Sequence, residues 1–548
     1  MKKLTYFITL SILPFLTQAQ DNNYDALAQL FSQTGPQGSA RMQAIGGTHT
    51  AIGADITSLG GNPAGLGFYT RSEFSVSPLF SQIKNGSQYI STNQQNSSTN
   101  QFTLGNIGII LAGHKNNPVT NGGWTHAFGG NYSRQSILKN SIRFGGRNTY
   151  SSMADSFAET ANNEATDYGT TVNDFKTDLI NNGAVFNYPT SMYYYGLLID
   201  PTSSNGYPYV GTEPGKVTNQ LFNFTSTGSI SQWNVAWGAN YMNKLYLGIG
   251  IGFTRMNYTT TKSMVESFED PTIISGFTNT NGLTTDGRGT NFSLGMIYRP
   301  NKLIRFGFSV TSPTWYTITE TTTQTLQTEL VAGRRFEVSA ETNPEYDASL
   351  PNSLRSAGYS VETENGVNYI TSVPTLSVLP FNSTYELRTP LKLSGGLGLF
   401  FGKNAFISAD AELVNYTGMK LSSNDTYADA GLGDGTYTTL VKQTYRNVVN
   451  LKLGGEYRIQ NISLRAGVSY YEDPFKRTSQ FNNLDRSRFI ISGGVGYRTH
   501  SFYVDMAALH SQQTMAYSPY ILANTADYAS AKIKNQTITG VLTFGVFF

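Results

Sequence analysis

The final twelve residues, TITGVLTFGVFF, alternate in a period of two. Ile538, Gly540, Leu542, Phe544, Val546 and Phe548 fall on one face, and Thr537, Thr539, Thr543 and Gly545 on the other. This period belongs to a strand whose faces meet different surroundings. The pattern recurs along the chain. Leu451, Leu453, Tyr457 and Ile459 alternate with Lys452, Glu456 and Arg458. Leu245, Leu247, Ile249, Ile251 and Phe253 form another such row, and Trp233, Val235, Trp237, Ala239 and Tyr241 a third.

Composition says which surroundings. Charged residues are 14% of the 548, aromatics 13%, and glycine numbers 55. Little charge with abundant Gly, Tyr and Phe suits a wall with lipid on one side and water on the other. The net charge of +2 carries no nucleic-acid footprint. Without cysteine the chain has no disulfide, thiolate nucleophile or lipoprotein anchor. The start, MKKLTYFITLSILPFLTQAQ, has the basic, apolar and small-residue regions of a secretory signal, with cleavage expected after Ala19. No later run reaches the ~20 apolar residues of a membrane helix. An exported chain with a lipid-compatible face and no such helix is expected to close into a β-barrel in the outer membrane, where every backbone polar group is paired.

Fourteen strands are expected, near 73–80, 102–112, 124–134, 228–242, 244–258, 288–299, 303–318, 386–401, 404–420, 444–459, 461–472, 486–499, 501–512 and 533–548. Short turns (YMNKL, RPNKL, FGKN, IQNI, RTHS) alternate with long loops at about 135–227, 319–385 and 421–443, the asymmetry of an outer-membrane barrel. The expected division is a signal peptide at 1–19, a plug at 20–72 and a barrel at 73–548. The plug segment is small, Gly-rich and apolar, suited to packing against a wall.

The segment GSARMQAIGGTHTAIGADITSLGGNPAGLGFY resembles the N-terminal hatch of the FadL/TodX family of outer-membrane transporters, with Asn62-Pro63-Ala64-Gly65 matching its most recognisable motif. LRTPLKLSGGLGLFF with ISADAELVNYTGMKL, and NLKLGGEYRI with LRAGVSYYEDP, resemble later strand pairs of that family. The resemblance implies diffusion of hydrophobic compounds such as long-chain fatty acids or aromatic hydrocarbons, a hatch that moves, and an exit through the wall. Asp505 and His510 share an expected strand but point to opposite faces, and no nucleophile stands out, so no enzyme activity is expected. The terminal Phe548 resembles the signal read by the barrel-assembly machinery, and outer-membrane lipid and lipopolysaccharide are the expected surroundings.

Alternation points Arg299, Arg305, Lys392, Asp410, Glu412, Lys452, Glu456, Arg458, Arg465 and Asp505 into the lumen. As a ladder they would solvate it and hold the plug. Alternatively Lys392, Lys452 or Arg465 receives a ligand carboxylate. Asn62-Pro63-Ala64-Gly65 is also an ordinary turn sequence. The Tyr193–Ile199 run, with Tyr194 and Leu198, reads either as a ligand-capturing patch or as a loop core. Gly129-Gly130, mid-strand, reads either as a kink opening a lateral exit or as room for the plug. The histidines, His49, His114, His126, His500 and His510, have no metal spacing, and no cofactor is expected. The alternative functions are a structural or adhesive surface barrel with a permanent plug, a general porin and a haem-binding receptor.

Overall fold

The computed structural model describes residues 24–33, 35–90, 92–113, 123–203, 207–425, 428–477 and 484–548. The expected signal peptide and His114 lie outside them. The chain forms a closed antiparallel barrel of 14 strands. These are β1 (Glu73–Gln88), β2 (Gln95–Gly113), β3 (Trp124–Ile137, continued by Asn140–Asn148), β4 (Thr218–Tyr241) and β5 (Leu245–Phe268). Next come β6 (Ile274–Tyr298), β7 (Ile304–Thr311, continued by Trp315–Leu330), β8 (Leu376–Arg388, continued by Lys392–Phe401) and β9 (Ala405–Val414). β10 (Val448–Ile459), β11 (Ile462–Tyr471), β12 (Arg488–Arg498), β13 (Phe502–Tyr517) and β14 (Ala531–Phe547) complete the wall. Each strand pairs with the next, and β1 pairs with β14 from Glu73↔Phe547 to Gln88↔Lys532.

All fourteen expected strands are present, and several run further toward the long-loop end than expected. At ~3.3 Å per residue and a tilt near 40°, a strand climbs about 2.5 Å per residue. The 25 residues of β6 therefore rise well beyond the bilayer. These outer halves are rich in Thr, Asn and Ser on both faces, so they alternate polar with polar and lack the apolar signature. Two expected strands are interrupted. β7 breaks at 312–314 and β8 at 389–391, around Pro313 and Pro390. Proline has no N–H to give a ladder. The two breaks lie side by side, with Thr389 N donating to Thr314 O at 3.1 Å and Thr314 N to Thr389 Oγ1 at 2.8 Å.

Outward side chains form the apolar belt. Trp124, Tyr241, Tyr298, Tyr457 and Tyr497 are exposed beside the short turns, as an interfacial aromatic girdle requires. Among the described residues no helix is long and apolar enough to cross a membrane.

The long loops fold into a cap. It contains α3 (Met153–Tyr168), α4 (Val172–Asn182), α5 (Pro189–Tyr195) and α6 (Leu350–Ser356). Ser152 and Asp155 form a capping box at the start of α3. One apolar core joins these helices to the outer ends of the strands.

Candidate functional site

The lumen is filled by the segment before β1. It begins with α1 (Tyr24–Phe31) at the outer end and descends through α2 (Ala40–Ala44) and two 3₁₀ turns, Ile56–Leu59 and Pro63–Phe68. Tyr24, Ala28 and Phe31 are buried against inward residues such as Tyr258, Ile318 and Tyr385. They also pack on α8 (Thr436–Thr444), which follows the short α7 (Ala430–Gly433) in the loop between β9 and β10. Tyr24 Oη donates to Glu320 at 2.8 Å. Burial pushes the Asp25 carboxyl up to about 6.

Small residues and backbone bonds hold the lower plug. Ser39 caps α2 and donates to Asp55. Ala40 N donates to Thr543 Oγ1 at 2.7 Å, Gly46 N to Ser492 Oγ at 3.1 Å, and Ser469 Oγ to Gly46 O at 2.7 Å. His49 N and Thr50 N both donate to Asp410 at 2.9 Å. Arg305 reaches the carbonyl of Ile52 at 2.7 Å and stacks on Phe68 and Phe400.

Three of the inward charges, Asp410, Arg305 and Glu456, thus bind the plug. Glu456 accepts from Arg41 of the plug at 3.0 Å, from Arg465 at 2.7 Å and from Arg458 at 3.0 Å, and Arg465 also binds Asp505 at 2.6 Å. Arg465 therefore has Nε and Nη1 engaged by two carboxylates, which leaves little for a ligand carboxylate. Lys452 pairs with Glu412 at 3.3 Å. Lys392 lies nearby, within the field of the same Glu412 but without a hydrogen bond to it.

Asn62 caps the second 3₁₀ turn by accepting from Ala64 N at 3.1 Å. Its amide nitrogen donates to Thr50 O at 2.7 Å and lies 3.4 and 3.3 Å from the carbonyls of Met296 and Phe308 on the wall. Pro63 opens the turn. A Cβ on Gly65 would lie closer than 3.0 Å to Gly53 Cα. The four motif residues thus join plug to wall rather than form an exposed turn.

A cavity of ≈140 Å³ remains between plug and wall. It is lined by Phe31, Gln33, Gln37 and His49 from the plug, by Asn131, Ser133, Gln135 and Ser136 on β3, and by residues at both proline breaks. Lys392, Glu412 and Lys452 also line it.

The structure bears on two runs that the sequence reads in two ways. The Tyr193–Ile199 run is not exposed: Tyr194 and Leu198 are 4% and 1% accessible, inside the cap core. Phe157 stacks on Tyr193 at 3.8 Å, and Tyr194 Oη donates to Glu345 at 2.7 Å. Burial raises the Glu345 carboxyl above its usual range. An apolar run cannot declare from sequence whether another loop will cover it; here 331–375 does. Leu198→Ala should cost the cap about 2–5 kcal/mol, and Tyr194→Phe about 1–3 kcal/mol by removing a donor from a buried carboxyl. Limited proteolysis should cut the cap of both variants first while the barrel keeps its heat resistance; an unchanged cleavage rate would contradict this packing.

The second run is Gly129 and Gly130. They pair without interruption with Ile110 and Ile109 on one side and with Ala236 and Val235 on the other. The ladder fails further out. Pairing of β2 with β3 ends at Asn106↔Ser133, beside a bulge at Gly105 and another at Gln135. Beyond it, side chains bridge the strands: Arg134 to Thr103 at 3.1 Å and Lys139 to the Asn100 carbonyl at 2.9 Å. The buried Asn106 side-chain amide has no partner among the described residues. The Gln135 carbonyl accepts from Gln37 of the plug at 2.9 Å. The cue available in the sequence was Gly105, one glycine among many.

No protein-family model and no curated protein matches the sequence. Solved structures do match in fold. A FadL homologue from Pseudomonas aeruginosa superimposes with a TM-score of 0.52 at 11% identity, covering 94% of this chain and 99% of that one. The toluene transporter TodX of P. putida superimposes with a TM-score of 0.51 at 11% identity, with the same coverage. The chain shares the barrel fold of these proteins.

Proposed function

We propose that the barrel passes small, sparingly water-soluble organic compounds across the outer membrane, holding them between plug and wall and releasing them sideways into the bilayer. The observation that carries the proposal is the conjunction of a plug-lined cavity with a failed ladder. The cavity's β3 residues, Ser133, Gln135 and Ser136, are those at which β2–β3 pairing ends. An apolar solute gains nothing by leaving into water, so a side exit is energetically preferable. The proposed exit lies at Asn106–Ser133, and the Gly129-Gly130 kink is set aside. Lys392 and Lys452 are the proposed contacts for a charged end, with the hatch motif Asn62 to Gly65 as the hinge-side anchor of the plug.

The deciding measurement is uptake of labelled toluene and decanoate by cells with and without the protein. Loss on deletion supports the channel. Unchanged uptake favours a surface barrel with a permanent plug, a reading that the folded cap and the buried plug ion pairs support. Outer-membrane lipid and lipopolysaccharide would contact the apolar belt. Assembly machinery would read the outward row of β14 ending in the exposed Phe548.

The plug touches the proposed exit through Gln37. Cysteines at Gln37 and Gln135 should crosslink on oxidation, and uptake should fall to background and recover on reduction. Normal uptake by the crosslinked protein would argue that solutes leave elsewhere.

A further inference from the structure

The cavity lining is not what a bare hydrocarbon needs; the inference drawn from it rests on the channel proposed above but replaces the apolar solute, and with it the sideways release, by a polar one. Most of its side chains end in a hydroxyl or carboxamide. Those of Ser136, Ser309, Thr311 and Ser394 have no protein partner among the described residues. Water or a ligand must satisfy them. A hydrocarbon filling this space would expel that water and return no hydrogen bonds, a cost paid at every unpaired hydroxyl.

The charge in the cavity has one sign to spare. Lys392 and Lys452 share a single carboxylate, Glu412, which pairs with Lys452 at 3.3 Å and attracts Lys392 from further off. The cation in excess attracts one anion, and a carboxylate offers a charge-assisted hydrogen bond. Apolar surface is present but limited, from Phe31, Met42 and Tyr316 among others. It can hold a compact ring. The volume of ≈140 Å³ suits a compact body better than an extended chain.

We infer that this cavity selects a compact organic monoanion whose body carries several hydrogen-bonding groups, a hydroxylated ring carboxylate, over an unsubstituted hydrocarbon or a straight-chain fatty acid. Lys392 takes the carboxylate, Phe31 and Tyr316 flank the ring, and Ser309, Thr311 and Ser394 take the ring substituents.

The test is calorimetric titration of the full-length barrel in lipid nanodiscs with 3,4,5-trihydroxybenzoate, benzoate, decanoate and toluene. Trihydroxybenzoate should bind at least about tenfold more tightly than benzoate or decanoate. Lys392→Met should weaken both benzoates about tenfold or more. Ser309→Ala with Thr311→Val should remove the advantage of trihydroxybenzoate over benzoate and leave benzoate unchanged. Retained heat-modified gel mobility certifies that each variant is folded. Decanoate or toluene binding as tightly as trihydroxybenzoate, or an unchanged preference in the Ser309/Thr311 variant, overturns the inference. Uptake in the deletion strain judges the channel separately. Lost uptake of toluene and decanoate with no preference for the hydroxylated acid retains the channel and sinks this selectivity; the binding preference with unchanged uptake of labelled trihydroxybenzoate, toluene and decanoate alike retains the site and sinks the channel.

Discussion

Replacing Gly248 with valine should unseat the plug and leave the barrel standing. Gly248 faces the lumen on β5, and a Cβ there would lie closer than 3.0 Å to Pro63 C and Ala64 N. Both are backbone atoms of the hatch turn, so no side chain can swing aside. Valine is at ease in a strand and keeps the ladder with Gly238 and Gly295. The same close approach recurs around the wall. Gly295 meets Asn62, Gly307 and Gly396 meet Thr50, and Gly454 and Gly467 meet Ile45 and Gly46. In planar bilayers the Gly248→Val barrel should conduct ions as an open pore does, with its heat-modified mobility preserved. Gly540→Val is the control, because a Cβ there meets nothing within 4 Å. An unaltered conductance for Gly248→Val would mean that the wall glycines do not seat the plug.

The second large effect is expected at Glu456. Its side chain is 4% accessible and compensates Arg41, Arg465 and part of Arg458. Glu456→Ala leaves the buried Arg41 without its carboxylate, while Arg465 keeps Asp505 and Arg458 keeps access to water, at a cost of about 3–5 kcal/mol. The loss should fall first on the plug, because Arg41 is the member of the cluster that the plug contributes. A cysteine placed at Ser58 should then label rapidly from the aqueous phase. Adding Arg41→Ala should return part of the stability, because one stranded charge disappears. If the single and double variants label alike, the ion pair does not anchor the plug.

How far the sequence could be read follows from which residues answer to a repeating environment. Wall strands separate lipid from lumen, so Leu451, Leu453 and Tyr457 on one side and Lys452, Glu456 and Arg458 on the other declare both strand and orientation. Register then makes Glu456 and Arg465 cross-strand neighbours. The plug has no period. Nothing in its sequence announces that Arg41 will reach Glu456 or that Asn62 will span to Phe308. The proline breaks at Pro313 and Pro390 were visible as residues, but their alignment in space depends on β7–β8 register. The failed ladder depends on two bulges facing each other across β2 and β3, a relation between strands that neither contains alone.

The row of wall glycines also bears on how such a barrel is made. Gly248, Gly295, Gly307, Gly454 and Gly467 belong to five different strands, and each fits the backbone of one short segment that precedes them all in the chain. The girth and stagger of the wall are thus matched to that one segment: a strand slipped by one residue would turn a side chain toward it where the missing one is needed. The seam between β1 and β14 closes only when the last turn of the wrap has the right girth.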